Sequence, residues 1–563
     1  MANVAFAQPP FNAGDWISYR DTRWARALDA GPQDLFVATS GGILRYREMR
    51  QTWDEPTVVG YSISAAVPVT DPVLIFYDER GNNLWVATRT AWLQYDVGAE
   101  RWRKVQDQVW DENDRVVNIG ANANDLFVEV IPAELYGALF PPGSPLPDPS
   151  WQAYVRRYKA ARTYGFLTPD LSGTLPPDIR WRGLRSKVPL RNQDLFGATG
   201  LAPAGFPVVF LPNGWIWQSD GVLTDPYIRA NPVTDWLVDR FGNLWVTFWG
   251  AGLLKADLRA GRAQLLQFGP AGNNIRALWI GKDDLWMGGY NTGERQGVSV
   301  ASYDLKTWQF HERRDDAVLR STDVADIAEW DGSVWLATDQ GLLEYHEKGG
   351  RWKHYDVGNN LQDDDVRALA VSDTCLWIGT VRGLCLMTRG REVWRAASPG
   401  IELAGVTDLA LCGDMVYVAT PQGLFKGSGK TKDFVYVDLQ PPLLNAAVHE
   451  LAIENSTIWL CTSDGVEAYN QADGTAKSWL ASTWMNGAEP SSICATDSYV
   501  WIGTTESGFY RFLRGKPEWI SYTTADGLLD NRVQVIRRDG DDLFIGTATG
   551  LTRFFWNRPG TTK

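Results

Sequence analysis

An all-β chain folded as tandem β-propellers, about 12 four-stranded blades closed by the N-terminal strand, is what this sequence predicts, and three observations carry it. The first is a motif, Leu-Trp-Val/Ile-Ala/Gly-Thr-x-x-Gly-Leu, cleanest at Leu376-Trp377-Ile378-Gly379-Thr380-Val381-Arg382-Gly383-Leu384. Its aromatic falls at Phe36, Trp85, Phe127, Trp215, Trp245, Trp286, Trp335, Trp377, Tyr417, Trp459, Trp501 and Phe544, a period near 42 that suits one blade. The second is apolar–polar alternation ending at a glycine turn, the pattern of half-buried strands joined by hairpins. The third is a second aromatic about 17 residues later, as at Trp352, Trp394 and Phe434. Each unit therefore reads as an inner strand, the motif strand, a third strand after the glycine, and an outer strand with the second aromatic. Lys348-Gly349-Gly350 marks one hairpin between the last two.

The elements follow in chain order. Ala5-Phe6-Ala7 before Gln8 has the small-x-small form of a secretory cleavage site, so residues 1–7 are expected to be the remnant of a signal and the protein to be exported, periplasmic or extracellular. Trp16-Ile17-Ser18-Tyr19 nearly repeats Trp519-Ile520-Ser521-Tyr522 yet has no blade before it, and the last unit runs out of chain before its own outer strand. Strand 16–19 is thus expected to complete the final blade and leave no open edge. The blades are expected in two halves, 8–312 and 313–563, divided in the loop from His311 to Asp323.

Between Phe127 and Trp215 the interval doubles, which marks an insertion, 131–200. Asp148-Pro149-Ser150 offers a helix cap, and Trp151, Tyr154, Val155 and Tyr158 follow at helical spacing, so this insertion is expected to be partly helical. From Trp151 to Arg191 nine basic residues face two acidic ones. That is +7, against −20 for the remainder of a chain whose total is −13. Arg156, Arg157, Lys159 and Arg162 are accordingly candidate docking residues, either against the acidic body, where the insertion would plug or cap a ring, or against a partner or anionic glycan.

The acidic balance argues against nucleic acid as a partner, and no apolar run approaches the ~18 residues of a membrane helix, so the chain is not expected to span a bilayer. Cys375, Cys385, Cys412, Cys461 and Cys494 sit in apolar strands without a Cys-x-x-Cys pair and read as free thiols. No cofactor is implied. His346 and His354 are expected to face each other across the hairpin but lack a third metal ligand. Asp315-Asp316 and Asp363-Asp364-Asp365 are loop acids that could serve a glycosidase only if two carboxylates converged from facing blades.

Of the 28 tryptophans most recur at the blade period as packing residues. Trp24, Trp92, Trp110, Trp249 and Trp484 fall instead in turns and loops predicted to emerge on one face, near Arg20, Arg23, Arg89, Asp111 and Arg115. Indoles beside guanidinium groups suit stacking on sugar rings or anchoring a protein. Trp24, Trp92, Trp110, Trp249 and Trp484 with Arg23, Arg89 and Arg115 are the candidate ligand-binding set.

The repeat, with its Trp-x-x-Tyr strand and the loop Gly527-Leu528-Leu529-Asp530-Asn531-Arg532-Val533, resembles the bacterial two-component-regulator propeller repeat. Such repeats occur in periplasmic sensor regions of hybrid histidine kinases that detect glycans and in a two-propeller envelope protein of type IX secretion. The resemblance covers nearly all the chain except about 131–200. It implies a non-enzymatic exported propeller protein that binds a glycan or cell-envelope protein, as sensor or scaffold. The alternative expectation is a secreted carbohydrate-active enzyme using the loop carboxylates.

Overall fold

The computed structural model describes residues 15–54, 61–62, 67–68, 71–107, 109–139, 149–170, 174–187, 209–211, 214–217, 223–226, 228–257, 259–260, 262–290, 297–312, 323–396, 399–428, 433–439, 447–516 and 518–557. The expected signal remnant and Asp315-Asp316 lie outside them. Strands dominate, arranged in four-stranded antiparallel sheets, all but one of consecutive strands, with one five-stranded sheet and one small two-stranded ribbon among the described residues. The architecture is all-β and propeller-like.

The motif explains each sheet locally. Its alternating residues form the second strand, as in Cys375–Thr380, where Leu376, Trp377 and Ile378 are buried. The threonine closes the hairpin that follows: Thr380 Oγ1 donates to the Gly383 carbonyl at 2.9 Å, and the same Thr-to-Gly bond recurs at Thr338, Thr420, Thr462 and Thr547. Gly383 adopts φ 144°, which disfavours any residue with a side chain, and a Cβ there would meet Gln362 Cγ at 3.0 Å.

The chain divides into two compact units, one of residues 21–268 and one of 1–20 with 269–563. This differs from the divide expected at 312/313, because the 277–312 sheet packs with those that follow it. Ile275 and Leu278 share a core with Val535 and Phe544 of the 533–555 sheet. Strand Trp16–Tyr19 pairs antiparallel with Gly550–Phe555, Trp16 opposite Phe554, and the two side chains stack at 3.8 Å. Residues 15–20 thereby belong with the C-terminal sheets.

Within each unit, a carboxylate on the first, or leading, strand of one sheet clasps the leading strand of the next. Asp326 accepts the Leu369 amide at 2.9 Å, Asp408 the Leu451 amide at 2.7 Å and Glu450 the Ile493 amide at 2.7 Å. In the 21–268 unit, Asp235 does the same for Leu28 at 3.0 Å and Asp29 for Tyr77 at 2.7 Å. Hydrogen bonds of this kind stabilise by about 0.5–1.5 kcal/mol each.

The insertion departs from its expected helix. Pro149–Ala153 is one turn of 3-10 helix, after which Arg156–Ala161 is a strand paired with Asp125–Ile131. A neighbouring strand offered its whole edge, and those backbone bonds outweigh the local helical spacing. Further on, Arg180–Gly183 pairs with the free edge of the leading strand Arg115–Ala121, as a fifth strand.

Candidate functional site

The predicted tryptophan set does not assemble on one face. Trp92 is fully buried, stacked on Trp85 at 5.3 Å, with its N–H donated to the Gly165 carbonyl at 3.0 Å. Trp110 is buried in the same core, edge-on to Tyr158 at 6.3 Å. The inserted segment folds over both, which turns two expected loop aromatics into core. Arg23 is likewise buried, its guanidinium held by Asp21 at 2.8 Å. Trp484 stacks on Trp519 at 6.0 Å in the 269–563 unit, so it belongs to a different unit from Trp24 and Trp249.

What remains together is a patch in the 21–268 unit. Trp24 and Trp249 form a β-bridge and pack edge to face at 5.0 Å, with Trp249 37% exposed. The turn holding Trp249 is pinned by its own backbone: Trp249 donates to Pro232, and Gly250 and Gly252 both donate to the Arg23 carbonyl. Arg26 lies 5.0 Å from the centre of the Trp249 indole. A β-bulge between Ala25 and Ala27 leaves Arg26 unpaired in the ladder and re-aims its side chain. Asp71 joins Arg26 at 2.6 Å to Arg89 at 2.9 Å. Burial pulls the Arg26 guanidinium below its ordinary value, Asp71 opposes that, and Arg89 and Arg115 add to it by repulsion. The patch thus sets the guanidinium groups of Arg26 and Arg89, joined by Asp71, beside two indoles, of which Trp24 donates its N–H to Asp21 at 3.2 Å. It can stack on a sugar face and bind carboxylate or sulfate groups.

Arg26 and Asp71 escaped the sequence reading. Arg26 occupies the second position of Ala25-Arg26-Ala27-Leu28, the same place in the repeat as Arg276, just before its leading strand, and as Arg367 and His449 in theirs. A charged residue at a fixed repeat position inside an apolar strand is the signal that could have found it.

The expected docking cations are engaged within their own unit. Arg156 reaches Asp114 and Glu134, Arg157 reaches Glu129 at 3.2 Å, Lys159 reaches Asp125 at 3.0 Å, and Arg162 binds Asp78. Arg156, Arg157 and Lys159 project from a strand, and Arg162 from the turn after it, and not from a helical face. Deeper in, Arg182 donates to the Leu28 carbonyl at 2.5 Å and lies 3.3 Å from Asp235, while Arg180 meets Asp29 at 3.0 Å. Burial pushes the Asp29 carboxyl up, and Arg182 and Arg180 pull it back down.

The other expectations resolve as turn chemistry. Asp365 forks onto Arg367, Asp363 pairs with Arg382 at 3.2 Å, and Asp364 accepts the Val357 amide at 2.8 Å. His346 and His354 do not face each other: the register sets His346 opposite Arg351 and His354 opposite Leu343. Among the described residues, no group of three or more His, Cys, Asp or Glu side chains is arranged to hold a metal ion. No helix among them is long and apolar enough to cross a membrane.

No protein-family profile and no curated protein matches the chain in sequence. Solved structures place it in a class, the large propeller-like proteins with many four-stranded sheets. PorZ, a surface component of the type-IX secretion system of Porphyromonas gingivalis, aligns at TM-score 0.60 and 13% identity, over 96% of this chain and 87% of that one. The extracellular domains of the hybrid two component systems BT4673 and BT3049 of B. thetaiotaomicron align at TM-scores of 0.47 and 0.43. Their identities are 16% and 12%, over 96% of this chain in both cases and 76% and 83% of theirs. These are the kinds of protein that the repeat resembles. At such identities the likeness concerns the fold alone.

Proposed function

We propose that the chain is an exported, non-catalytic protein of two closed propellers, seven blades in the unit of 1–20 with 269–563 and five in 21–268, that recognises an anionic glycan of the cell envelope in a sensor or scaffold role. The observation that carries the reading is the Trp24–Trp249 pair with Arg26 against the exposed indole and Arg89 joined through Asp71. Two indoles give a sugar ring an apolar floor, and guanidinium groups in excess of the local carboxylate favour a ligand bearing carboxylate or sulfate. The surface location of PorZ, a protein of similar fold, supports export. Cyclic packing of the leading strands from Ala277–Ile280 round to Val533–Asp539 supports a closed ring in one unit, and the packing of Ala25 with Leu237 brings the first and last sheets of the other together.

Glycan-array binding combined with a product assay tests this function. Saturable binding of acidic glycans, no turnover, and loss of binding in the Trp24→Ala/Trp249→Ala double variant are expected. Turnover of a bound glycan, or binding unchanged in that variant, would contradict it.

A further inference from the structure

The 269–563 unit holds a polar site of its own. Its leading strands surround a cavity of about 410 Å³. β-Bulges fall at Ala325, Arg367, His449, Ser491 and Gln534, and all five line the cavity. One repeat position, re-aimed by the bulge, thus supplies the wall.

The floor consists of Asp326, Asp408, Glu450 and Arg537. The same four residues line a further space of about 350 Å³, so they form a septum between the two. Three carboxylates there meet one guanidinium, which Glu450 holds at 2.9 Å. Burial, and repulsion from Glu450 and Asp326, push the Asp408 carboxyl well above the usual carboxylate range.

Hydrogen-bonding capacity is equally one-sided. Thr407 and Ser491 spend their hydroxyl protons on the Val448 and Val533 carbonyls and keep their lone pairs. Gln534 Oε1 is buried and accepts no hydrogen bond. The guanidinium groups at the wall are already engaged, Arg276 by Asp323 and Arg367 by Asp365. Apart from the Gln534 amide group, which also donates, what the cavity has left to offer is acceptors, over a floor of three carboxyl groups and one guanidinium. A ligand that fits must bring donors and a cation, and its size is set by a volume near the lower end of the roughly 300–1,000 Å³ of small-molecule sites.

We propose that this cavity binds a small ligand carrying a primary ammonium group and several hydroxyls, a free hexosamine being the fitting chemical class, with the ammonium at the Asp326–Asp408–Glu450 floor and hydroxyls at Thr407, Ser491 and Gln534. The ammonium supplies three donors where the septum gathers three carboxyl groups against one guanidinium, and its charge would favour their ionised form. N-acetylation removes that charge while leaving the sugar ring intact, which makes the acetylated sugar the discriminating probe.

Calorimetric titration of the full chain with glucosamine, N-acetylglucosamine and glucose tests the proposal. Glucosamine is expected to saturate one site per chain, with the two neutral sugars at least about tenfold weaker, the equivalent of about 1.4 kcal/mol. Ala325→Phe fills the cavity and should abolish binding. Gln534→Met should weaken it several-fold without moving the melting temperature, because the oxygen removed has no partner to lose. The Trp24→Ala/Trp249→Ala variant should bind glucosamine unchanged, which separates this site from the glycan patch. Absence of glucosamine binding, equal affinity for the acetylated sugar, or unaltered binding in the cavity-filled or Gln534→Met protein would overturn it.

Discussion

The two units are written in one repeat, yet their leading strands face different surroundings. In 21–268, Asp29 and Asp235 meet Arg180 and Arg182 of an inserted strand that lies along the inner edge of Arg115–Ala121. In 269–563, Asp326, Asp408 and Glu450 meet Arg537 and a cavity. Asp235, Asp326, Asp408 and Glu450 occupy the same place in their strands and perform the same clasp on the next sheet. A carboxyl group that fastens sheet to sheet therefore also faces whatever lies beside the leading strands, a guanidinium-bearing strand in one unit and a cavity in the other.

The largest expected effect breaks the filled side of this comparison. Arg182→Met removes the guanidinium that Asp29 and Asp235 share, and breaking a buried ion pair of this kind costs about 3–5 kcal/mol. Urea unfolding followed by tryptophan fluorescence should show the loss in the 21–268 transition alone. Trp92→Ala should follow, at about 3–4 kcal/mol, since it empties a fully buried indole site in the same unit.

A pH effect sharpens the contrast from the other side, because all four histidines belong to 269–563. His311 stacks on Trp286 at 5.6 Å, and burial lowers its imidazole to about 4. The folded state favours the neutral ring, so its stabilisation is complete above the usual imidazole pKa of about 6.5 and is lost as pH falls towards about 4. The raised carboxyls of Asp326, Asp408 and Glu450 act in the opposite sense, gaining stability as pH falls. The difference between wild type and His311→Phe isolates the imidazole. It should amount to roughly 2–3 kcal/mol between pH 7 and 4, measured on the 269–563 transition. Smallest is Trp249→Ala, expected to cost under about 1 kcal/mol because its indole is partly exposed, while removing glycan binding.

What the sequence made legible was local. Strands such as Cys375–Thr380 follow from alternation and a Thr-x-x-Gly turn, both of which act within ten residues. The place of Trp16–Tyr19 follows from repeat phase, since an outer strand without a blade needs an edge to pair with. The helical spacing of Trp151 to Tyr158 misled because the edge that captured this segment, Asp125–Ile131, is distant in the pattern that was read. Trp92 and Trp110 misled for the same reason: the cover that buries them is the insertion itself. Arg26 was overlooked since a bulge, and not simple alternation, directs it outward.

Hydrogen–deuterium exchange across the leading strands of wild type and Arg182→Met tests the contrast between a filled and an open centre most directly. Amides of 118–121 and 180–183 should be protected together in the wild type, and in the variant should exchange at least about 100-fold faster, with 324–330, 366–371 and 448–454 unchanged. Wild-type 180–183 exchanging as fast as exposed loops, or equal acceleration in both units, would contradict the account.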